Sequence, residues 1–202
     1  NCKATGMTDD VFNISASALY VKSVFSGNDI DLYWPEMKTV YRPIKVGDEL
    51  TIIDTETGKL IGRTTVSRVV AQTGTTNRIK LKDNLGTIPT GEHVHAFFDS
   101  MVAPGSEIKN SDFDGTFRFR GPITITNTKF QIRRMWIDMY RNLEGPVPRN
   151  IIFKNCDIRA DGPGTIEIKS YNPNPTAPGA YKLENIVFDT NESNLVFLYY
   201  LW

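Results

Sequence analysis

The chain has 202 residues with 23 basic and 23 acidic side chains, so it has no net field to draw it to nucleic acid or to an anionic membrane. Its 15 glycines and 11 prolines, with plentiful Thr, Ile, Val, Phe and Tyr and almost no helix-period runs, argue for an all-β chain. No stretch approaches the roughly 20 apolar residues of a membrane-spanning helix, so membrane insertion is not expected.

The chain opens on Asn1-Cys2, the end of a pattern that returns four times: an apolar pair, then Asn or Asp, a small residue, and an apolar residue soon after. The later copies are Ile108-Lys109-Asn110-Ser111-Asp112-Phe113, Ile125-Thr126-Asn127-Thr128-Lys129-Phe130, Phe153-Lys154-Asn155-Cys156-Asp157-Ile158 and Val187-Phe188-Asp189-Thr190, spaced 17, 28 and 34 residues apart. A strand-like run paired with an Asn turn at an irregular period predicts a stacked β-solenoid, a right-handed parallel β-helix. One coil cannot bury its own inward face, whereas coils about 4.8 Å apart give each strand a partner above and below. Asn1, Asn110, Asn127, Asn155 and Asp189 are expected to line one corner, because an Asn amide can bond the next amide in a column and tolerates left-handed backbone. The plain alternative is five unrelated Asn turns. The first residues do not form a signal peptide and the chain ends on the apolar run from Leu195 to Trp202, so it is expected to be a piece of a longer protein.

Next comes Gly6-Met7-Thr8-Asp9-Asp10-Val11-Phe12-Asn13-Ile14, two adjacent carboxylates ahead of an in-out alternation. Two carboxylates in one site cannot ionise independently, so one is pushed toward the range of a general acid. Neighbours on a strand point to opposite faces, however, so both serve one site only if the backbone turns or bulges there. The plain alternative is a pair of turn residues ordering a corner.

The repeat then disappears. Short alternating runs at residues 19–25, 29–34, 49–54, 60–70, 78–82 and 93–98, separated by Gly-containing turns, predict a small antiparallel β-barrel inserted at a corner of the helix. The expected organisation is therefore a first β-helix part at 1–16, an inserted barrel at 17–102 and a second β-helix part at 103–202. In the barrel, His93 and His95 have the spacing of two metal ligands, but no Cys or third His accompanies them and no metal site is assigned.

Beyond the barrel, registering the ladder residues aligns Phe12 and Ile14 with Phe117 and Phe119, Ile137 and Met139, and Ile166 and Ile168, all inward. One outward column then holds Asn13, Arg118, Asp138 and Glu167; its neighbour holds Ser15, Arg120, Tyr140 and Lys169, with Trp136 alongside. Acids, bases and an aromatic ring on one strand face suit a sugar, whose hydroxyls meet charged groups and whose C–H face meets the ring. Arg118, Arg120, Arg133 and Arg134 form a local basic cluster without the interleaved aromatics of a nucleic-acid site. Cys2 and Cys156 share one slot of the repeat three coil spacings apart, about 14 Å, and are expected to be free, buried thiols. The Pro-rich run 172–179 reads as an exposed loop that either flanks the groove or bridges two corners.

The segment Thr8-Asp9-Asp10-Val11-Phe12-Asn13-Ile14, the barrel-like insertion with Lys45-Val46-Gly47-Asp48-Glu49-Leu50, and then Arg120-Gly121-Pro122-Ile123-Thr124-Ile125-Thr126-Asn127-Thr128-Lys129-Phe130 together resemble glycoside hydrolase family 110, within the pectate-lyase-like parallel β-helix superfamily. The resemblance implies an inverting exo-hydrolase of α-1,3-linked galactose, with Asp9 and Asp10 on the adjacent catalytic carboxylates and Asn13 on the Asn that follows. The family pattern has His-Gly where this chain has Ser15-Ala16, and a further acid expected from the preceding coil would lie before Asn1. The resemblance also implies an extracellular or periplasmic, bacterial setting.

The expectation is thus a carbohydrate-active chain with Asp9 and Asp10 as catalytic residues and Asn13, Arg118, Arg120, Trp136, Asp138 and Glu167 as substrate-binding residues. Its partner is an oligosaccharide or polysaccharide, with no nucleic acid, no cofactor and self-association left open. Two other readings stand beside it: a non-catalytic carbohydrate-binding or structural β-helix of the adhesin or tailspike kind, and a polysaccharide lyase with Ca²⁺ held by Asp9, Asp10 and Asp138 and Arg118 as base.

Overall fold

The computed structural model describes residues 2–5, 10–34, 43–73, 75–102, 104–139 and 144–200, without the side chains of 161–164 and 191–200. Asn1, Asp9 and Tyr140 lie outside the described residues. In chain order the strands are β1 (Lys3–Ala4), β2 (Asp10–Ile14), β3 (Ala16–Ser17), β4 (Leu19–Ser26), β5 (Asp29–Tyr33), β6 (Glu49–Asp54), β7 (Lys59–Thr73), β8 (Thr76–Leu81) and β9 (Gly91–Phe98). A short 3₁₀ turn, Asp99–Val102, precedes β10 (Ser106–Lys109), β11 (Asp112–Phe119), β12 (Ile123–Thr126), β13 (Lys129–Asp138), β14 (Glu144–Gly145), β15 (Arg149–Lys169) and β16 (Glu184–Tyr200).

Strands β4 to β9 close into a six-stranded antiparallel barrel in the order β4-β5-β8-β7-β6-β9. Each strand contributes to one core: Leu19 and Val21, Ile30 and Leu32, Leu50 and Ile52, Val66, Ile79 and Leu81, and Val94, Ala96 and Phe98 point into it. The first strand meets the last through Leu19, Tyr20 and Val21, which closes the sheet on itself.

The remaining long strands form one curled sheet of eight strands in which every pairing is parallel. Strand β15 explains the curl: it pairs with β12 through residues 151–154 and with β13 through residues 157–169, bending at Asn155 between them. Ile108, Ile125, Phe153 and Phe188 are successive register partners, and with Phe113, Phe117, Phe119 and Phe130 they build an aromatic core. The Phe153 and Phe188 rings stack at 4.8 Å, and Phe117 meets Phe130 edge-on at 5.0 Å.

The corner is the expected asparagine ladder. Asn127 Nδ2 donates to Asn110 Oδ1 at 3.3 Å and Asn155 Nδ2 to Asn127 Oδ1 at 2.8 Å, all three at φ near 50°. Ser111, Thr128 and Cys156 follow in the next column, each bonding the carbonyl two residues back. Asp189 does not join the ladder: it pairs with Lys154 while Thr190 pairs with Cys156, so β16 lacks the extra corner residue. A second ladder was not expected: Asn185 Nδ2 donates to Asn150 Oδ1 at 2.9 Å, both again at positive φ. Both cysteines are free; Cys156 is buried as expected, whereas Cys2 is exposed.

The expected inward columns are offset by two residues on β13. Phe117 pairs with Phe12 and Met135, and Met135 with Ile166, while Ile137 pairs with Ile168. A bulge at Arg133 shifts the β11–β13 register by one residue toward the expected alignment, since Ile132 pairs with Gly115 but Arg134 with Thr116, and so keeps Met135 rather than Arg134 inward beside Phe117.

Barrel and sheet share a small core of Ala18, Ile53, Phe97, Met139, Val147 and Tyr181. Strand β14 pairs antiparallel with β3 there, and a Cβ at Gly145 would lie 2.4 Å from the Phe97 ring, so only glycine fits. Arg149 forms an ion pair with Asp99, and Arg63 reaches Glu184 at 2.7 Å. Of the Pro-rich run, Asn172 is buried and donates to the carbonyls of Gly58 and Tyr181, both at 2.8 Å, tying this segment to a barrel turn.

Candidate functional site

Strands β2, β11, β13 and β15 present three rows of side chains on the outer face of the parallel sheet. The first row is Asp10, Thr116, Arg134 and Thr165; the second is Asn13, Arg118, Trp136 and Glu167. The third contains Arg120 beside Asp138 and Lys169. The register therefore places Trp136, not Asp138, between Arg118 and Glu167.

A bulge follows Asp10: Thr116 pairs with Asp10 but Phe117 with Phe12, leaving Val11 extra. The extra residue puts Asp10 on the same face as Asn13, three positions on. Asp10 Oδ2 lies 2.9 Å from Arg118 Nε, and both side chains are partly covered. The Arg118 guanidinium sits 4.6 Å from the Trp136 ring centroid and that of Arg134 5.1 Å from it. Glu167 closes the series, 2.6 Å from Lys169 Nζ and 3.8 Å from Arg134 Nε. The result is a continuous chain of acid, base, indole, base and acid across four strands.

Arg120 and Asp138 belong to a different structure. Arg120 is completely buried; its Nε donates to the Asp138 carbonyl at 3.0 Å, and its Nη1 to Asn13 Oδ1 at 3.2 Å and Glu144 Oε2 at 2.7 Å. Its Nη2 lies 3.0 Å from Asp138 Oδ1. Burial pushes the Asp138 carboxyl up, against the opposing pull of Arg120, Arg118 and Lys169. These residues were expected to face a ligand; instead β14 covers their column, and they cross-link strands. Asn13 bridges the two groups, exposed on one side and bonded to Arg120 on the other.

Of the expected site, the structure brings together Asp10, Asn13, Arg118, Trp136 and Glu167; Asp9 lies outside the described residues. Arg134 and Lys169 complete the face, and their charge and strand parity are readable in sequence. Glu144 has no local signal, since it arrives by the return of β14 onto β3. His95 is buried, its Nε2 3.0 Å from the Glu92 carbonyl oxygen, and burial lowers its pKa to about 4, which suits packing rather than ligation. Among the described residues no group of three or more His, Cys, Asp or Glu side chains could hold a metal ion.

No protein-family model matches the chain, and no curated protein is significantly similar to it.

Proposed function

We propose that the curled sheet is part of a right-handed parallel β-helix that binds an oligosaccharide or polysaccharide across β2, β11, β13 and β15, and that Asp9 and Asp10 hydrolyse an α-galactosidic bond there with inversion. In this reading residues 17–102 are a domain inserted between two parts of one helix. The observation that carries it is the row Asn13, Arg118, Trp136 and Glu167. An indole offers a flat apolar surface for the C–H side of a pyranose, while the flanking amide, guanidinium and carboxylate offer donors and acceptors for its hydroxyls.

Inverting hydrolysis needs one carboxylic acid to protonate the leaving oxygen and one carboxylate to activate water, about 6.5–9.5 Å apart. Asp10, ion-paired to Arg118, suits the carboxylate that activates water, and Asp9 takes the role of acid. Arg118 then orients both Asp10 and the sugar beside Trp136. The α-galactoside and the setting outside the bacterial cytoplasm rest on the resemblance to glycoside hydrolase family 110.

The second reading is a non-catalytic saccharide-binding β-helix. It is favoured by the commitment of Asp10 to Arg118 and of Asp138 to Arg120, which leaves both acids engaged. Release of β-galactose from an α-1,3-linked digalactoside, followed by NMR, separates the two. Hydrolysis should fall by a factor on the order of 100 to 10,000 in Asp10→Asn with the melting temperature nearly unchanged. A wild-type chain that binds the digalactoside without cleaving it would leave the binding module, and full activity in Asp10→Asn would remove this residue from catalysis.

A further inference from the structure

We propose that the barrel carries a second carbohydrate site, a shallow groove for one neutral pyranose built on Tyr20 and Tyr33 and separate from the Trp136 face; it rests on the saccharide reading above only in the choice of sugar. Tyr20 of β4 and Tyr33 of β5 are direct cross-strand partners. Their neighbours Leu19, Val21 and Leu32 fill the barrel core, so both rings point out of it, each half-buried, with Tyr20 packed along one side against the small core shared with the sheet. Opposed residues in an antiparallel pair have Cβ atoms about 5 Å apart, which makes the two rings one apolar strip.

Space beside that strip comes from a break in the ladder. The partner of β4 steps from His95, opposite Tyr20, directly to Gly91, opposite Val21, so that residues 92–94 leave the β4 register while Val94 stays paired with Asp54 of β6. Gly91 has φ 127°, a backbone that side-chain-bearing residues rarely adopt, and the His93 imidazole lies against it, 3.0 Å from where a Cβ would stand. The resulting cavity of about 390 Å³ is lined by Tyr20, Val21, Lys22, Tyr33, Gly91 and Glu92. That volume lies at the lower end of ligand pockets, which suits one sugar unit rather than a long chain.

The walls are held in place. The buried His95 ring lies 5.2 Å from the Tyr20 ring, and its Nε2 lies 3.0 Å from the carbonyl oxygen of Glu92, so one imidazole supports both sides. Lys22 Nζ lies 5.7 Å from the Tyr33 ring centroid, at the rim. Lys22 supplies donors and Glu92 supplies acceptors. Their charges balance, which favours a neutral sugar over a uronate or a phosphate. The tyrosine faces take the C–H side of the ring, as at Trp136.

A titration of the ¹⁵N-labelled chain with methyl α-galactopyranoside and, in parallel, methyl α-glucopyranoside tests this. Amide shifts are expected at Lys22, Tyr33 and Gly91, with affinity falling roughly tenfold in Tyr33→Ala. Lys22→Met and Glu92→Gln, both at exposed positions, should also weaken these shifts and stand in if Tyr33→Ala fails to fold. Trp136→Ala should leave the barrel shifts intact, so loss of the Trp136 site and loss of the barrel site are read separately. Shifts confined to β11, β13 and β15, no shift with either sugar, or a response at these amides only to a phenylalanine-containing peptide would each overturn the barrel site.

Discussion

The barrel and the parallel sheet solve the problem of exposed strand edges in different ways. The barrel joins β4 to β9 and has a core in which inward residues are almost all apolar. The curled sheet stays open, and its rungs are held by side chains as well as backbone: two asparagine ladders at the corners and a buried arginine linking β2, β13 and β14. Closure makes stability a property of the whole barrel, whereas stacking concentrates it at a few polar contacts. The face proposed to bind saccharide lies on the stacked part, one column from that arginine.

The sharpest break in this comparison is Arg120→Met. It leaves Asp138 buried without its cation and should cost about 3–5 kcal/mol, read by denaturant unfolding. Adding Asp138→Asn should recover part of that loss. If the difference between the two regions holds, the parallel sheet loses its amide protection first while barrel amides such as those of Ile52 and Ile79 keep theirs. Equal loss in both would mean that barrel and sheet form a single cooperative unit.

The barrel's own weak point is His95. Burial holds its pKa at about 4, below the ordinary 6.5, so the folded chain prefers the neutral ring. The stability this contributes is present above pH 6.5 and is lost as pH falls from 6.5 toward 4, by up to roughly 3 kcal/mol. Asp138 acts in the opposite sense, because a raised carboxyl loses stability as pH rises. The comparison is therefore between wild type and His95→Gln, whose unfolding free energy should lose most of the decline between pH 6.5 and 4. An unchanged slope would mean that His95 is not the titrating group.

A smaller effect is expected at the ladder. Asn127→Ala removes bonds to two neighbours at a left-handed position and should cost about 1–2 kcal/mol. Asn127→Gly restores the backbone freedom and should recover part of that, leaving the lost ladder bonds. Thermal melts of the two variants check the split.

The six barrel strands and the ladder of Asn110, Asn127 and Asn155 are legible in sequence, because hairpin turns and Asn corners are local signals. The second ladder is legible too, since Asn150-Ile151-Ile152-Phe153 returns as Asn185-Ile186-Val187-Phe188, but there the Asn precedes its apolar run instead of following it. The position of Trp136 was not legible. An offset of two residues preserves the in-out alternation, so Ile137 fits the inward column as well as Met135 does, and a bulge at Arg133 leaves no mark in composition. The burial of Arg120 is hidden from sequence for another reason: an outward position on a strand is exposed only if nothing folds over it, and β14 does.

Saccharide binding across the Trp136 row should depend on the indole. Calorimetric titration with an α-1,3-linked digalactoside, run on Asp10→Asn, which should not consume the ligand, and on Asp10→Asn with Trp136→Ala, measures that dependence. Binding should weaken roughly tenfold when the indole is removed, with a second, weaker event from the barrel retained. Binding of equal strength in both proteins would contradict it.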